Sequence, residues 1–260
     1  MFKHSVGTTF AAVAFSSLLL VAATPSPAHA AEIKLLSPVA FRVLLPELLP
    51  QFEKSSGHKV TVDFAVLGVI TDRLLKGEAA DVAIVSPAQN EELQKQGKLL
   101  AGSRVEISRV GFTVFVKKGA TKPDLGSVDA LKRTLLAAKS IALGDPARGG
   151  GAGVYAAGLM QRLGLSEDIK AKTMLQPSGT EIAQAVAKGE TEIGIGVASD
   201  LAIVPGLEAI ALPADVQSYS LYVAGITSGS TQPDAAKALI AFLTSPAVKQ
   251  AWTAGGFEPR

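Results

Sequence analysis

The chain has 260 residues, 48% of them hydrophobic, with 25 Lys and Arg against 23 Asp and Glu. Its formal charge of +2, without any basic stripe, argues against nucleic acid and membrane surfaces as partners. Cysteine is absent, and His58 is the one histidine beyond residue 30. A His-Cys zinc site is therefore excluded, and a Ser-His-Asp triad nearly so.

Catalysis, if any, falls to carboxylates, Tyr, Lys or Arg. An anion must be held by hydroxyls, backbone N–H groups, Arg or Lys. No metal and no cofactor is expected.

Residues 1–30 read as an export signal rather than as fold. Lys3 stands near the start, an apolar stretch runs from Phe10 to Ala23, and Ala28-His29-Ala30 gives a small-x-small cleavage site. The apolar stretch is short for a membrane span. The expected mature protein is periplasmic, starts after Ala30 and has about 230 residues, enough for one large or two small domains.

The rest alternates. "EIKLLS" predicts a strand, and "VAFRVLLPELLPQFEKSSG" a helix ending at Gly57, with Pro46 and Pro50 awkward inside it. His58 falls in the next turn and is expected to be exposed. "KVTVDFA" reads as a strand, "VITDRLLKG" as a short helix, "DVAIVS" as a buried strand. "PAQNEELQKQGK" is a helix with Pro87 in its first turn. "SRVGFTVFVKKG" is a long strand, followed by a helix capped by Ser127, the strand "SIALGD", a glycine loop and the helix "GVYAAGLMQRLGL". "KTMLQ" and "EIGIGVAS" are strands either side of the helix "SGTEIAQAVAKG". A long strand, "SYSLYVAGIT", precedes two terminal helices.

This order implies an α/β fold with mostly parallel sheets. The two long strands suggest two crossings between lobes. The expected lobes are residues 31–112 with 225–260, and residues 113–224. Ligands in such sheets sit beyond the carboxyl ends of strands, at helix N-termini. That selects the loops 37–42, 66–69, 86–88, 147–152, 177–180 and 197–199.

The glycine loop "GDPARGGGAGVY" is no P-loop, because no Lys-Ser or Lys-Thr follows. Nor does it suit a dinucleotide, since seven residues separate Leu143 from Gly151. Two readings stand: a surface connection whose glycines fill turns, or an anion clamp. In the clamp, Arg148 adds a donor fork for a carboxylate to the N–H groups of Gly149, Gly150 and Gly151. Ser37, Ala40 and Phe41 would act from the first lobe, and Ser178, Gly179 and Thr180 from the second. The serine and threonine have an equal reading as plain helix caps. Ser86 belongs to the same set of loops. Arg42 and Arg109 are weaker candidates, and Arg73 reads as a solvated helix residue.

The stretches "LLSPVAFRVLLPELLPQFEKSSGHKV", "RLLKGEAADVAIVS", "KSIALGDPA", "GVYAAGLMQRLGL" and "KGETEIGIGVASDL" resemble the extracytoplasmic solute-binding proteins of ABC transporters, in the molybdate-binding-like branch. The resemblance implies two α/β lobes, a two-strand hinge, a monomer, a small anionic ligand and a transporter permease as partner. Ser37 matches that branch's first oxyanion-binding serine. Its second serine turn is Val66-Leu67-Gly68 here, and its tyrosine position falls near Val197. With hydroxyls lost and Arg148 gained, a di- or tricarboxylate is expected rather than molybdate. Leu67 and Val197 would then wall a carbon skeleton, with Gly68 a further ligand-binding candidate. Aconitate isomerase, an exported enzyme, resembles the same branch. It would need no metal or thiol, and Tyr155, Asp145, Asp63 and Asp200 are the candidate proton carriers. A molybdate- or tungstate-binding protein is the third reading.

Overall fold

The structure, a computed structural model, describes residues 1–4 and 30–259. The export signal expected over residues 1–30 falls almost wholly outside them. Beyond it, the described residues form ten strands and nine α-helices. They run β1 (Glu32–Pro38), α1 (Leu44–Ser56), β2 (Lys59–Ala65), α2 (Leu67–Leu75), β3 (Val82–Val85), α3 (Pro87–Lys95), β4 (Val105–Lys117), α4 (Val128–Ala137), β5 (Ile141–Gly144) and α5 (Gly151–Leu163). Then come β6 (Thr173–Gln176), α6 (Gly179–Lys188), β7 (Ile193–Val197), α7 (Asp200–Ile203), β8 (Leu207–Ala211), β9 (Tyr219–Ile226), α8 (Pro233–Leu243), α9 (Lys249–Ala254) and β10 (Glu258–Pro259).

The strand order is β2-β1-β3-β9-β4-β7-β5-β6, with β8 and β10 also on β4. β1 is parallel to β2 and β3, and β5 is parallel to β6 and β7. β4 joins the two parallel groups. Its first part, to Gly111, pairs antiparallel with β9, and from Phe112 onward it pairs with β7. From Thr113 its other edge takes β8. The second connection is the return through Gln217, whose amide donates to the carbonyls of Phe112 and Ser218. The short strands VAIV, IALG and IGIGV are buried along their whole length. That is the pattern of parallel strands covered by helices on both faces.

Three expectations are corrected. The first helix is split: a 3-10 turn at Val39–Phe41 is followed by α1, which places Pro46 in the first turn, where its missing N–H has no intrahelical role. β8, β10 and α7 were absent from the sequence reading. His58 is half-buried rather than exposed, because its Nδ1 accepts from the Ala31 N–H at 3.2 Å and its ring packs beside Phe52.

Candidate ligand-binding cleft

The two parallel groups of strands point their carboxyl ends at each other, and the segments leaving those ends form one cleft. Pro38, Val39 and Ala40 come from the end of β1, and Val66 and Leu67 from the end of β2. Across from them lie Gly144, Asp145 and Gly150 to Gly153, then Pro177, Ser178 and Gly179, then Val197 and Asp200; Tyr222 of β9 completes the lining. Three helices longer than one turn open here: α2, α5 and α6. Their N-cap residues are Val66, Gly150 and Ser178, and none of the three caps its helix with a side-chain hydrogen bond. α3 and α4 start elsewhere and are capped by the Ser86 and Ser127 hydroxyls. An uncapped N-terminus leaves backbone N–H donors and a partial positive charge for an anion.

The banks touch. A Cβ on Gly68 would run into the Arg148 carbonyl oxygen, and one on Gly149 would lie 3.0 Å from the Gly68 Cα. Gly149 has φ of 66°, which only glycine adopts without strain. Within the second bank, Gly144 and Gly153 pack backbone to backbone. The glycine loop is therefore a close-approach surface.

The structure sorts the expected residues. Ala40, Leu67, Gly150, Gly151, Ser178, Gly179 and Val197 line the cleft, and Gly68 and Gly149 form its closing contact. Arg148 does not line it: its side chain is exposed, and the loop meets the cleft through backbone. Ser37 is fully buried with its hydroxyl against the Pro38 carbonyl. Phe41 is core, its ring 4.7 Å from Tyr222 and 5.0 Å from Trp252. Ser86 is spent in a capping box with Gln89. Thr180 is buried and outside the lining. Ser178 does not act as a plain cap, because its hydroxyl bonds the Glu181 carboxylate.

Arg42 is exposed, and Arg109 pairs with Glu258 and lies over the Tyr219 ring. Arg73 is ion-paired with Asp63 and Glu78 rather than solvated, which holds Asp63 below its ordinary range and Glu78 at about 2. That removes Asp63 from the proton carriers. Tyr155 stacks on Phe112 and donates to the Val216 carbonyl at 2.6 Å, away from the lining; burial pushes it up to about 12. Asp145 lines the cleft, with Oδ1 accepting from the Ala147 N–H.

Among the described residues, no Lys or Arg side chain lines the cleft. Its ionisable groups are Asp145, Asp200 and Tyr222. Asp200 is 2% exposed, and burial pushes its carboxyl up to about 7. Tyr222, hydrogen-bonded to Ser220, is pushed up to about 12 by the same cause. The sequence gives no signal for Tyr222, which comes from β9 opposite Ser108 of β4. Val39, Val66, Leu67 and Val197 make the remaining wall apolar. Among the described residues, no cluster of three His, Cys, Asp or Glu side chains could hold a metal ion. None of their helices is long and apolar enough to span a membrane.

A family model described as bacterial extracellular solute-binding protein matches residues 33–258. An aconitate isomerase from Pseudomonas sp is 30% identical over 266 aligned positions, covering 100% of this chain and 98% of its own. The molybdate-binding protein ModA of Azotobacter vinelandii is 28% identical over 234, covering 88% and 91%. Among solved structures, the Azotobacter vinelandii periplasmic molybdate-binding protein superposes with a TM-score of 0.73 at 20% identity, covering 88% of this chain and 99% of that one. The sulfate-binding protein SubI of Mycobacterium tuberculosis gives 0.74 at 18%, covering 88% and 87%.

Proposed function

This chain belongs to the bacterial extracellular solute-binding proteins, and from that premise we propose that it closes around a small di- or tricarboxylate in the periplasm and delivers it to a transporter permease. The observation that carries the reading is the meeting of three uncapped helix N-termini in a cleft with apolar walls and no cationic side chain. Backbone N–H groups of α2, α5 and α6 hold the carboxylates, and Val66, Leu67 and Val197 cover the carbon skeleton. The lining hydroxyls are those of Ser178 and Tyr222, both already engaged within the protein. A tetrahedral inorganic oxyanion is served less well by such walls.

The lobes are taken as residues 31–112 with 225–260, and residues 113–224. They rotate where β4 changes partners at Gly111 and where the chain returns through Gln217. The ligand selects the closed state because only there do both banks donate to it.

A second reading has an observation of its own. Asp200 is a buried carboxyl near neutrality inside the cleft, the property a proton-transfer group needs. It favours an isomerase acting on an unsaturated tricarboxylate, like the Pseudomonas relative. Of the four candidate proton carriers, Asp200 is then the favoured one, with Asp145 the other in the cleft.

The test is a melting screen with trans-aconitate, citrate, molybdate and sulfate. Saturation at a hundredfold excess over Kd stabilises by about 2.7 kcal/mol, a rise of about 5–10 °C at this chain length. The reading predicts that rise with a polycarboxylate. A rise with molybdate or sulfate alone contradicts it. Chromatography of trans-aconitate left with the protein separates the two readings, since a carrier leaves it unchanged and an isomerase produces the cis form.

A further inference from the structure

We propose that Asp200 couples anion binding to the uptake of one proton, which its carboxyl takes from solvent as the anion settles on the N-terminus of α6 and returns when the anion leaves. The inference rests on the reading above that the cleft holds an anion.

Asp200 opens α7 directly after β7 and lines the cleft. Two glycines make room for its carboxyl. A methyl on Gly179, the first residue of α6, would run into Oδ2, and one on Gly196 would lie 3.1 Å from it. The carboxyl thus lies on the same N-terminus that the anion is to use. It accepts one long hydrogen bond, 3.3 Å from the Val197 N–H.

The groups facing it are few. Glu181 of α6 adds a second negative charge, and Tyr222 of β9 is a neutral phenol below its raised pKa. β7 contributes Gly196 and Val197, and β4 contributes the apolar Phe115. No cation compensates Asp200 among these. Burial already favours the neutral carboxyl, with a pKa of about 7. An anion against α6 brings a like charge into the same enclosed space and raises it further. The protonated carboxyl then becomes a donor, and its O–H points a short, strong hydrogen bond at the anion's oxygen.

The sign follows from linkage. Below about pH 6 the proton is already present, and affinity is flat. Above about pH 7 the empty protein has lost it, and affinity falls by up to about tenfold per pH unit.

The experiment is calorimetry of trans-aconitate, sulfate and molybdate at pH 8, in two buffers of different protonation enthalpy. Trans-aconitate is fully ionised there, so its own carboxyls take up no proton. The wild type is expected to take up close to one proton per bound anion. Asp200→Asn is expected to take up close to none, with an affinity independent of pH from 6 to 9. A carbon-13 titration of carboxyl signals in the ligand-free wild type stands apart from the folding of that variant. One carboxyl should titrate near pH 7, and all midpoints below about 5 overturn the inference. Binding of trans-aconitate without proton uptake also overturns it while leaving the carboxylate reading intact, and binding of sulfate or molybdate alone without uptake overturns both. Uptake with sulfate or molybdate, and no binding of trans-aconitate, supports the inference and overturns that reading. No binding by any of the three overturns both.

Discussion

At Gly68 and Arg148 two neighbouring residues carry opposite parts. Gly68 stands second in α2 with helical backbone, so alanine suits the local fold and stabilises a helix by about 0.5–1 kcal/mol relative to glycine. In the closed cleft the same methyl meets the Arg148 carbonyl. Gly68→Ala is therefore expected to keep the melting temperature of the empty protein and to lose at least about tenfold in affinity, by calorimetry. Arg148→Ala removes an exposed side chain from a loop that works through its backbone. Its affinity is expected within about threefold of wild type, and a loss of a hundredfold would return the guanidinium to the site. Arg148 stood out in the sequence because it is the one positive charge in the glycine loop. Where its side chain points depends on how Gly149 and Gly150 turn, and no pattern of residue types carries that. The glycines' place between a strand and a helix was legible, whereas their part in letting backbone approach backbone comes from how the two banks meet.

Among elements, the uncapped start of α5 is the one that a single substitution tests. α5 begins after Gly150, whose backbone is extended and around which an added Cβ would meet nothing within 4 Å. Gly150→Asp supplies the missing cap and at the same time places a fixed negative charge in the lining. Stability is expected to hold or rise by a few tenths of a kcal/mol. Anion affinity is expected to fall by tenfold or more, because the new carboxylate takes the donors and repels the ligand. A variant that melts as wild type and binds as wild type contradicts the role given to this N-terminus. Helix starts near 151 and 179 were visible as strand-loop-helix junctions. β8 was not: Pro205 and Pro213 bracket it, and its five residues bury only Leu207. Two-residue β10 carries no periodic signal at all; its pairing beside Arg109 is a product of the fold.

For the molecule as a whole, two sets of carboxyls pull stability in opposite directions with pH. Arg73 and Lys34 hold Glu78 at about 2, and Arg73 lowers Asp63. Their contribution is present above the ordinary carboxylate pKa and is lost as pH falls through about 2. Asp200 acts the other way. Its pKa rises on folding, so its folded form binds the proton more tightly, and stability falls as pH rises from about 4 through about 7. Denaturant titrations of the empty protein are expected to show greatest stability from these groups near pH 4, with Asp200→Asn flattening the neutral side. A profile in which stability climbs from pH 5 to 8 in wild type and not in the variant would reverse the assignment. The alternation of strands and helices made the architecture readable, because buried runs such as VAIV and IGIGV fit only a covered sheet. The exchange of partners along β4 was readable merely as unusual strand length. Which residues face one another across the cleft depends on how the two groups of strands meet.

The central claim is that backbone donors at three helix N-termini hold the ligand's carboxylates. Amide nitrogen and proton NMR shifts during titration with trans-aconitate or citrate test it most directly. The largest changes are predicted at the N–H groups of Leu67 to Val69, Gly151 to Gly153 and Gly179 to Glu181. Saturable binding that leaves those amides unmoved, with shifts gathered elsewhere on the molecule, would contradict the account.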